Sequence, residues 1–244
     1  MESVQQVILV LAKQPVAGQV KTRLCPPLAV EQAAGLAEAF LHDTLANAAR
    51  IDGAHVLLSH APPEAAEWFA AQFPEMTCFP QTGGSLGERL VAAFETAWSR
   101  GYRRCVAIGA DSPDLPPDFL RAAFEALRPG PESADVVLGP AEDGGYTLIG
   151  LRAAQPALFQ DIPWSTGQVL DRTLAQADAL GLRIHLLPEW YDVDTPADLE
   201  RLRAHLHTAS QEICPATRQK LKDLTPCLTT GLAALPLLRK QRGN

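Results

Sequence analysis

No Cys-x-x-Cys pair occurs in the sequence, and the five cysteines (Cys25, Cys78, Cys105, Cys214, Cys227) are odd in number and widely spaced. That excludes a disulfide framework and a clustered zinc site, and it predicts reduced thiols. Long apolar runs are also missing. The longest uncharged stretch near the carboxyl end, 224–238, falls short of the roughly 20 residues a membrane span requires and is interrupted by Pro226 and Pro236. No basic segment precedes the first apolar run, 7–12, which is too short for the core of a secretory signal, so a cytoplasmic protein is expected. Excess positive charge is lacking as well: 21 Lys and Arg face 28 Asp and Glu, a net charge of −7, which argues against a chain that wraps nucleic acid. With 47% hydrophobic and 20% charged residues, neither a disordered chain nor a fibre is compatible with the composition. A length of 244 residues suffices for one principal core.

What is present is an alternation. The apolar run 7–12 leads through a Gly/Pro-punctuated loop, 13–27, into a helix-period pattern of Leu36, Phe40, Leu41, Leu45 and Ala48. The same order repeats: strand 55–59 before a helix at 65–71, strand 76–80 before a helix carrying Leu86, Leu90, Phe94 and Trp98, and strand 105–109 before a helix marked by Leu120, Phe124 and Leu127. Units of this kind predict an α/β fold with a mostly parallel sheet and helices on both faces. Beyond Pro129-Gly130-Pro131 the runs 136–139 and 145–151 are separated by so tight a segment that an antiparallel or crossing pair is expected, making the sheet mixed. Ser165 and Gln168 have the spacing of a capping box and predict a helix start at 165. A last strand is expected at 182–187, and Thr195-Pro196 opens a closing helix. From about 213 six basic residues face one acid, and a basic extension, 211–244, is expected after a catalytic domain, 1–210. It reads as a helical appendage or a partly mobile tail, with binding to an acidic partner or membrane surface as the other use.

Parallel sheets receive ligands beyond the carboxyl ends of their strands, and the loops there are the unusual ones. Between Glu2 and Glu31 no acid occurs, yet Lys13, Lys21 and Arg23 do, with Gly18 permitting close backbone approach. Such an island suits a di- or triphosphate, although the Gly-Lys-Ser/Thr of a Walker loop is absent. Removing Lys21 or Arg23 from so exposed a loop is expected to weaken nucleotide binding with little loss of fold. Asp111, at the tip of an apolar strand, is the first candidate for holding Mg²⁺ or Mn²⁺. Asp114, close to the next helix, suits a cap. Glu142 and Asp143, before Gly144 and Gly145, can supply a general base or orient an acceptor hydroxyl, and a plain turn explains Asp143-Gly144 equally well. Asp194 is a candidate second metal ligand, with helix capping as its competing role. Trp164 suits stacking on a ligand or anchoring a loop. His205 and His207 stand two apart, the wrong spacing for a metal pair on one helix face.

Taken together, the stretches 12–24, 110–116, 139–146, 163–165 and 192–196 resemble the microbial GT-A-like transferases labelled glycosyltransferase or selenodomain-associated transferase. That family is itself similar to nucleotide-diphospho-sugar transferases and to the guanylyltransferases of molybdenum-cofactor and phospholactate biosynthesis. The resemblance spans 7–202. It implies Lys21 and Arg23 on phosphates, Asp111 on the metal, and Glu142, Asp143, Gly144, Gly145 and Tyr146 near a small-molecule acceptor. The GT-A signature is commonly Asp-x-Asp, whereas Asp111 and Asp114 stand three apart, as in the nucleotidyltransferase relatives. The implied function is metal-dependent transfer of a sugar from a nucleotide-diphosphate-sugar donor to an acceptor. The alternative is nucleotidyl transfer from a nucleoside triphosphate to a phosphorylated small molecule, releasing pyrophosphate. A non-catalytic nucleotide-binding module is a third possibility, against which the full set of carboxylates speaks. Oligomeric state has no signature in the sequence.

Overall fold

A computed structural model describes residues 5–232, so Arg239, Lys240 and Arg242 of the expected basic extension lie outside the described residues. In chain order the elements are β1 (Gln6–Lys13), α1 (Val30–Ala48), β2 (Ala54–Ala61), α2 (Ala66–Gln72), β3 (Thr77–Pro80), α3 (Leu86–Ser99), β4 (Arg104–Gly109), α4 (Pro117–Ala126), β5 (Val136–Pro140) and β6 (Tyr146–Leu151). They continue with α5 (Val169–Ala179), β7 (Ile184–Leu186), α6 (Pro196–Thr208) and α7 (Pro215–Leu232). No helix among the described residues is long and apolar enough to cross a membrane. Cys25, Cys78, Cys105 and Cys214 are free thiols, as their spacing predicts.

The seven strands form one sheet in the order β3-β2-β1-β4-β6-β5-β7. β1 has only apolar residues from Val7 to Ala12 because it is central and covered on both faces; Val7, Ile8, Leu9 and Val10 are 0% exposed. Alternate side chains part to opposite layers. Ile8 and Val10 meet Leu41, Phe69 and Phe124 of α1, α2 and α4, while Val7 and Leu9 meet Phe94 and Ala177 of α3 and α5. All strand pairs are parallel except those of β6, which runs antiparallel to both β4 and β5. The short turn after Pro140 permits no crossover, so β6 must return beside β5. One edge of the sheet therefore gathers the ends of β1, β4 and β5 and the start of β6.

Two helix starts are closed by reciprocal side-chain and backbone caps. Ser85 Oγ accepts from Glu88 N–H at 3.2 Å while the Glu88 carboxylate accepts from Ser85 N–H at 3.0 Å. Thr195 and Asp198 form the same reciprocal box at α6. The expected start at Ser165 fails. Ser165 has φ 64°, and α5 begins only at Val169, because Leu170 N–H is taken by Gly144 O at 2.8 Å and residues 165–168 form a turn instead.

The extension begins as part of the fold. Leu221 and Leu224 of α7 are buried with Leu36 and Phe40 of α1 and Leu199 and Leu202 of α6. The buried carboxylate of Asp43 accepts from Ala216 N–H at 3.0 Å and Thr217 N–H at 2.7 Å, so α1 supplies the missing cap of α7. Asp43→Ala strands those amides, and hydrogen bonds to a charged group contribute about 1.5–3 kcal/mol. A melting point lower by about 4–10 °C is expected. A variant that melts with the parent would show the α7 cap to be dispensable.

Candidate active site

At the gathered edge lies a cleft of about 750 Å³. After β1 the chain turns through Lys21, whose φ of 48° aims its side chain inward, into a 3-10 turn, Thr22–Leu24. The Lys21 ammonium makes a tight ion pair with Asp111 and reaches Asp194 Oδ1 at 3.0 Å. Arg23 Nη1 approaches Asp194 Oδ2 at 3.6 Å. The two cations differ in setting: the Lys21 side chain is 5% exposed and that of Arg23 69%. Burial by itself lowers the pKa of Lys21, but the charges of Asp111 and Asp194 outweigh it and the net displacement is upward. Lys21 is therefore a buried keystone of the site, in contrast to the exposed loop cation that the sequence suggests.

Asp111 follows β4 and Asp194 precedes α6. Their segments are joined by Val193 N–H donating to Asp111 O at 2.9 Å and by Ser112 Oγ donating to Asp192 Oδ1 at 2.6 Å. Asp194 is free of capping duty, since Thr195 and Asp198 cap α6 themselves. Burial pushes the Asp192 carboxyl up to about 6 against the hydrogen bond from Ser112, with the charge of Asp111 adding to the rise. Asp192 lines the cleft and carried no role in the sequence reading; its hydrogen-bond donor, Ser112, stands 80 positions away.

The turn between β5 and β6 separates the adjacent acids. Asp143 lines the cleft, with Oδ1 accepting from Gly145 N–H at 2.9 Å. Glu142 turns aside to Arg201 Nη1 at 2.6 Å, a hydrogen bond that holds its carboxyl below the ordinary range. Lys13, Lys21, Arg23, Asp111, Asp143, Gly145, Tyr146 and Asp194 thus meet in one cleft. Gly18, Glu142 and Gly144 border it without lining it. The sequence reading missed Arg89, which joins the cleft from the first turn of α3 while donating to Gly83 O and Gly84 O at 3.3 Å. Its position after paired glycines was the available signal.

Gly144 has φ +85°, and a Cβ there would lie 2.2 Å from Gly167 O, so two loops approach backbone to backbone beside Trp164 and Tyr146. Gly144→Ala adds the cost of a left-handed residue, about 1–2 kcal/mol, and must move the 165–167 turn. A melting point lower by about 2–8 °C is expected, with weakened ligand binding in the cleft. An alanine variant identical to the parent in both respects would show the contact to be unimportant.

Among the described residues no group of three or more His, Cys, Asp or Glu is placed to hold a metal ion. Two carboxylates sharing one cation nevertheless suit Mg²⁺ or Mn²⁺, which commonly take one or two protein carboxylates and complete their shell with phosphate oxygens and water. Asp114 is no cap: α4 starts at Pro117 without a side-chain cap. Its carboxylate is 0% exposed and accepts from Tyr191 Oη at 2.5 Å and Trp190 Nε1 at 3.4 Å, with His205 Nδ1 at 2.7 Å.

The model of a family described as "Uncharacterized protein conserved in bacteria (DUF2064)" matches residues 44–166. The crystal structure of a presumptive nucleotide-diphospho-sugar transferase from Desulfovibrio desulfuricans G20 is 32% identical, with a TM-score of 0.85 over 93% of this chain and 98% of that one. A cytidylyltransferase from Leptospira borgpetersenii serovar Hardjo-bovis is 13% identical, with a TM-score of 0.54 over 96% of this chain and 100% of that one. CMP:2-keto-3-deoxy-manno-octonic acid synthetase, complexed with CTP, is 15% identical, with a TM-score of 0.53 over 83% of this chain and 98% of that one. The last two share the fold alone. No curated protein matches the chain.

Proposed function

The chain belongs to the DUF2064 family of uncharacterized bacterial proteins and has the nucleotide-diphospho-sugar transferase fold, and from that premise we propose that it transfers a sugar from a nucleotide-diphosphate donor to a small-molecule hydroxyl. The observation that carries this reading is the cleft itself, where a cation-bridged carboxylate pair, Asp111 and Asp194, faces the same space as a third carboxylate, Asp143. Lys13, Lys21, Arg23 and Arg89 bind the diphosphate. Asp111 and Asp194 would hold Mg²⁺ or Mn²⁺, which would supply charge neutralisation for the departing diphosphate. Asp143 accepts the proton of the acceptor hydroxyl. Gly144, Gly145 and Tyr146 shape the acceptor side, and Glu142 keeps Asp143's loop in place through Arg201. Residues 1–210 carry the transferase chemistry, and the extension that starts at 211 joins them through α7, which packs on α1 and α6.

The four cations also support a second reading, nucleotidyl transfer, in which pyrophosphate leaves. The two cytidylyl-transferring neighbours of the same fold favour it. The test is to incubate the protein and Mg²⁺ or Mn²⁺ with a panel of nucleotide sugars and, separately, of nucleoside triphosphates with phosphorylated acceptors. Release of nucleoside diphosphate from a nucleotide sugar is the expected result. Release of pyrophosphate from a triphosphate would replace the first reading by the second, and binding without turnover of either panel would point to a binding module.

A further inference from the structure

We propose that Asp114 is a positioning residue: by clamping residues 190–191 and α6 from behind the cleft, it sets the separation of the carboxylates that meet the ligand. The assignment rests on the proposed cation and diphosphate site.

The geometry is that of a strap held at three points. At one end, Trp190 N–H donates to Pro140 O at 2.9 Å and Glu142 N–H donates to Trp190 O at 3.1 Å, fastening the segment to the end of β5 and so to the turn carrying Asp143. At the other, Val193 N–H donates to Asp111 O at 2.9 Å, fastening it to the tip of β4. Between them the segment is anchored downward by Asp114, whose two oxygens take Tyr191 Oη at 2.5 Å and Trp190 Nε1 at 3.4 Å. His205 Nδ1 at 2.7 Å ties the same carboxylate to α6. Facing a carboxylate, which only accepts, Nδ1 carries the hydrogen.

Asp114 lies on the far side of its loop from the cleft, lining a separate small hollow with Trp190 and His205, so it cannot touch a ligand bound between Asp111 and Asp194. Its own loop is steadied from α1, where Asn47 Nδ2 donates to Leu115 O at 2.7 Å. The clamp therefore joins a fixed loop to a strap that has little regular structure of its own. Partners behind metal-holding carboxylates act by fixing orientation, and losing one typically costs about 10- to 100-fold in metal affinity.

The experiment compares the parent with Asp114→Asn, His205→Ala and His205→Asn; the last restores an amide donor near the place of Nδ1. Magnesium pyrophosphate, and pyrophosphate with EDTA, are titrated calorimetrically into each, and amide hydrogen exchange is followed at Val193. For Asp114→Asn and His205→Ala, affinity for magnesium pyrophosphate should fall about tenfold or more, with little change for metal-free pyrophosphate and faster exchange at Val193. His205→Asn should recover most of both losses. Variants that merely melt earlier, with parent-like exchange at Val193 or parent-like magnesium dependence, would overturn the assignment. A parent that binds pyrophosphate in neither form would overturn the proposed function and this assignment with it, whereas a parent and variants that bind it equally would overturn the assignment alone.

Discussion

Lys21→Met should lower the melting point by about 4–12 °C and make the protein's stability depend on magnesium. Breaking a buried ion pair costs about 3–5 kcal/mol, but here the two carboxylates are 56% and 42% exposed, so solvent screens part of their repulsion and about 2–3 kcal/mol remains. Methionine fills most of the space against Phe40, over whose ring the ammonium sits at 5.7 Å, and the loss is therefore electrostatic. With the ammonium gone, Asp111 and Asp194 are left to a divalent ion. Thermal melts with and without MgCl₂ should show a larger magnesium increment in the variant than in the parent, while affinity for nucleotide diphosphates falls. A variant that melts with the parent, or one indifferent to magnesium, would remove Lys21 as the keystone and Asp111 with Asp194 as the metal pair.

Asp143→Asn should reduce sugar transfer to a hydroxyl by about 10²- to 10⁴-fold, the usual contribution of a general base. The amide oxygen can still accept from Gly145 N–H, so the turn and the fold should survive, with stability within about 0.5 kcal/mol of the parent. The same variant separates the two chemistries. A hydroxyl must lose its proton as it attacks, whereas a phosphate acceptor is already ionised at neutral pH and has none to lose. Steady-state rates of nucleoside diphosphate release from a nucleotide sugar, and of pyrophosphate release from a triphosphate, should therefore respond differently. If Asp143→Asn leaves the first rate intact, the base assignment is wrong.

The frame of the fold is legible because short-range patterns dictate it. Val7 to Val10 have no polar neighbour until Lys13, which only a doubly covered strand tolerates, and the Pro140 to Gly144 segment is too tight for a crossover. Asp111 stood out as a candidate for the same local reason, as the acid at the end of an apolar run. The misreadings involve long-range partners. Asp114 sits where a cap belongs, yet its hydrogen-bond partners are 76, 77 and 91 positions away. Lys21 looks like a solvated loop cation until Asp194, 173 positions on, closes over it. Ser165 and Gln168 have a helix-start spacing, but the carbonyl of Gly144 claims the amide that would have extended the helix. Glu142 and Asp143 are equivalent on paper, and only Arg201 tells them apart.

The pairing of Lys21 with Asp194 also orders events during synthesis. At about 5–20 residues per second, the ribosome makes Asp194 roughly ten to thirty seconds after Lys21, and α6 and α7 must then emerge before the helical layer under the first loop can close. In the later part of that interval, once β4 and the loop after it have been made, Lys21 and Asp111 are present but Asp194 is not. The two-carboxylate environment of Lys21 is therefore completed only when the last quarter of the chain arrives.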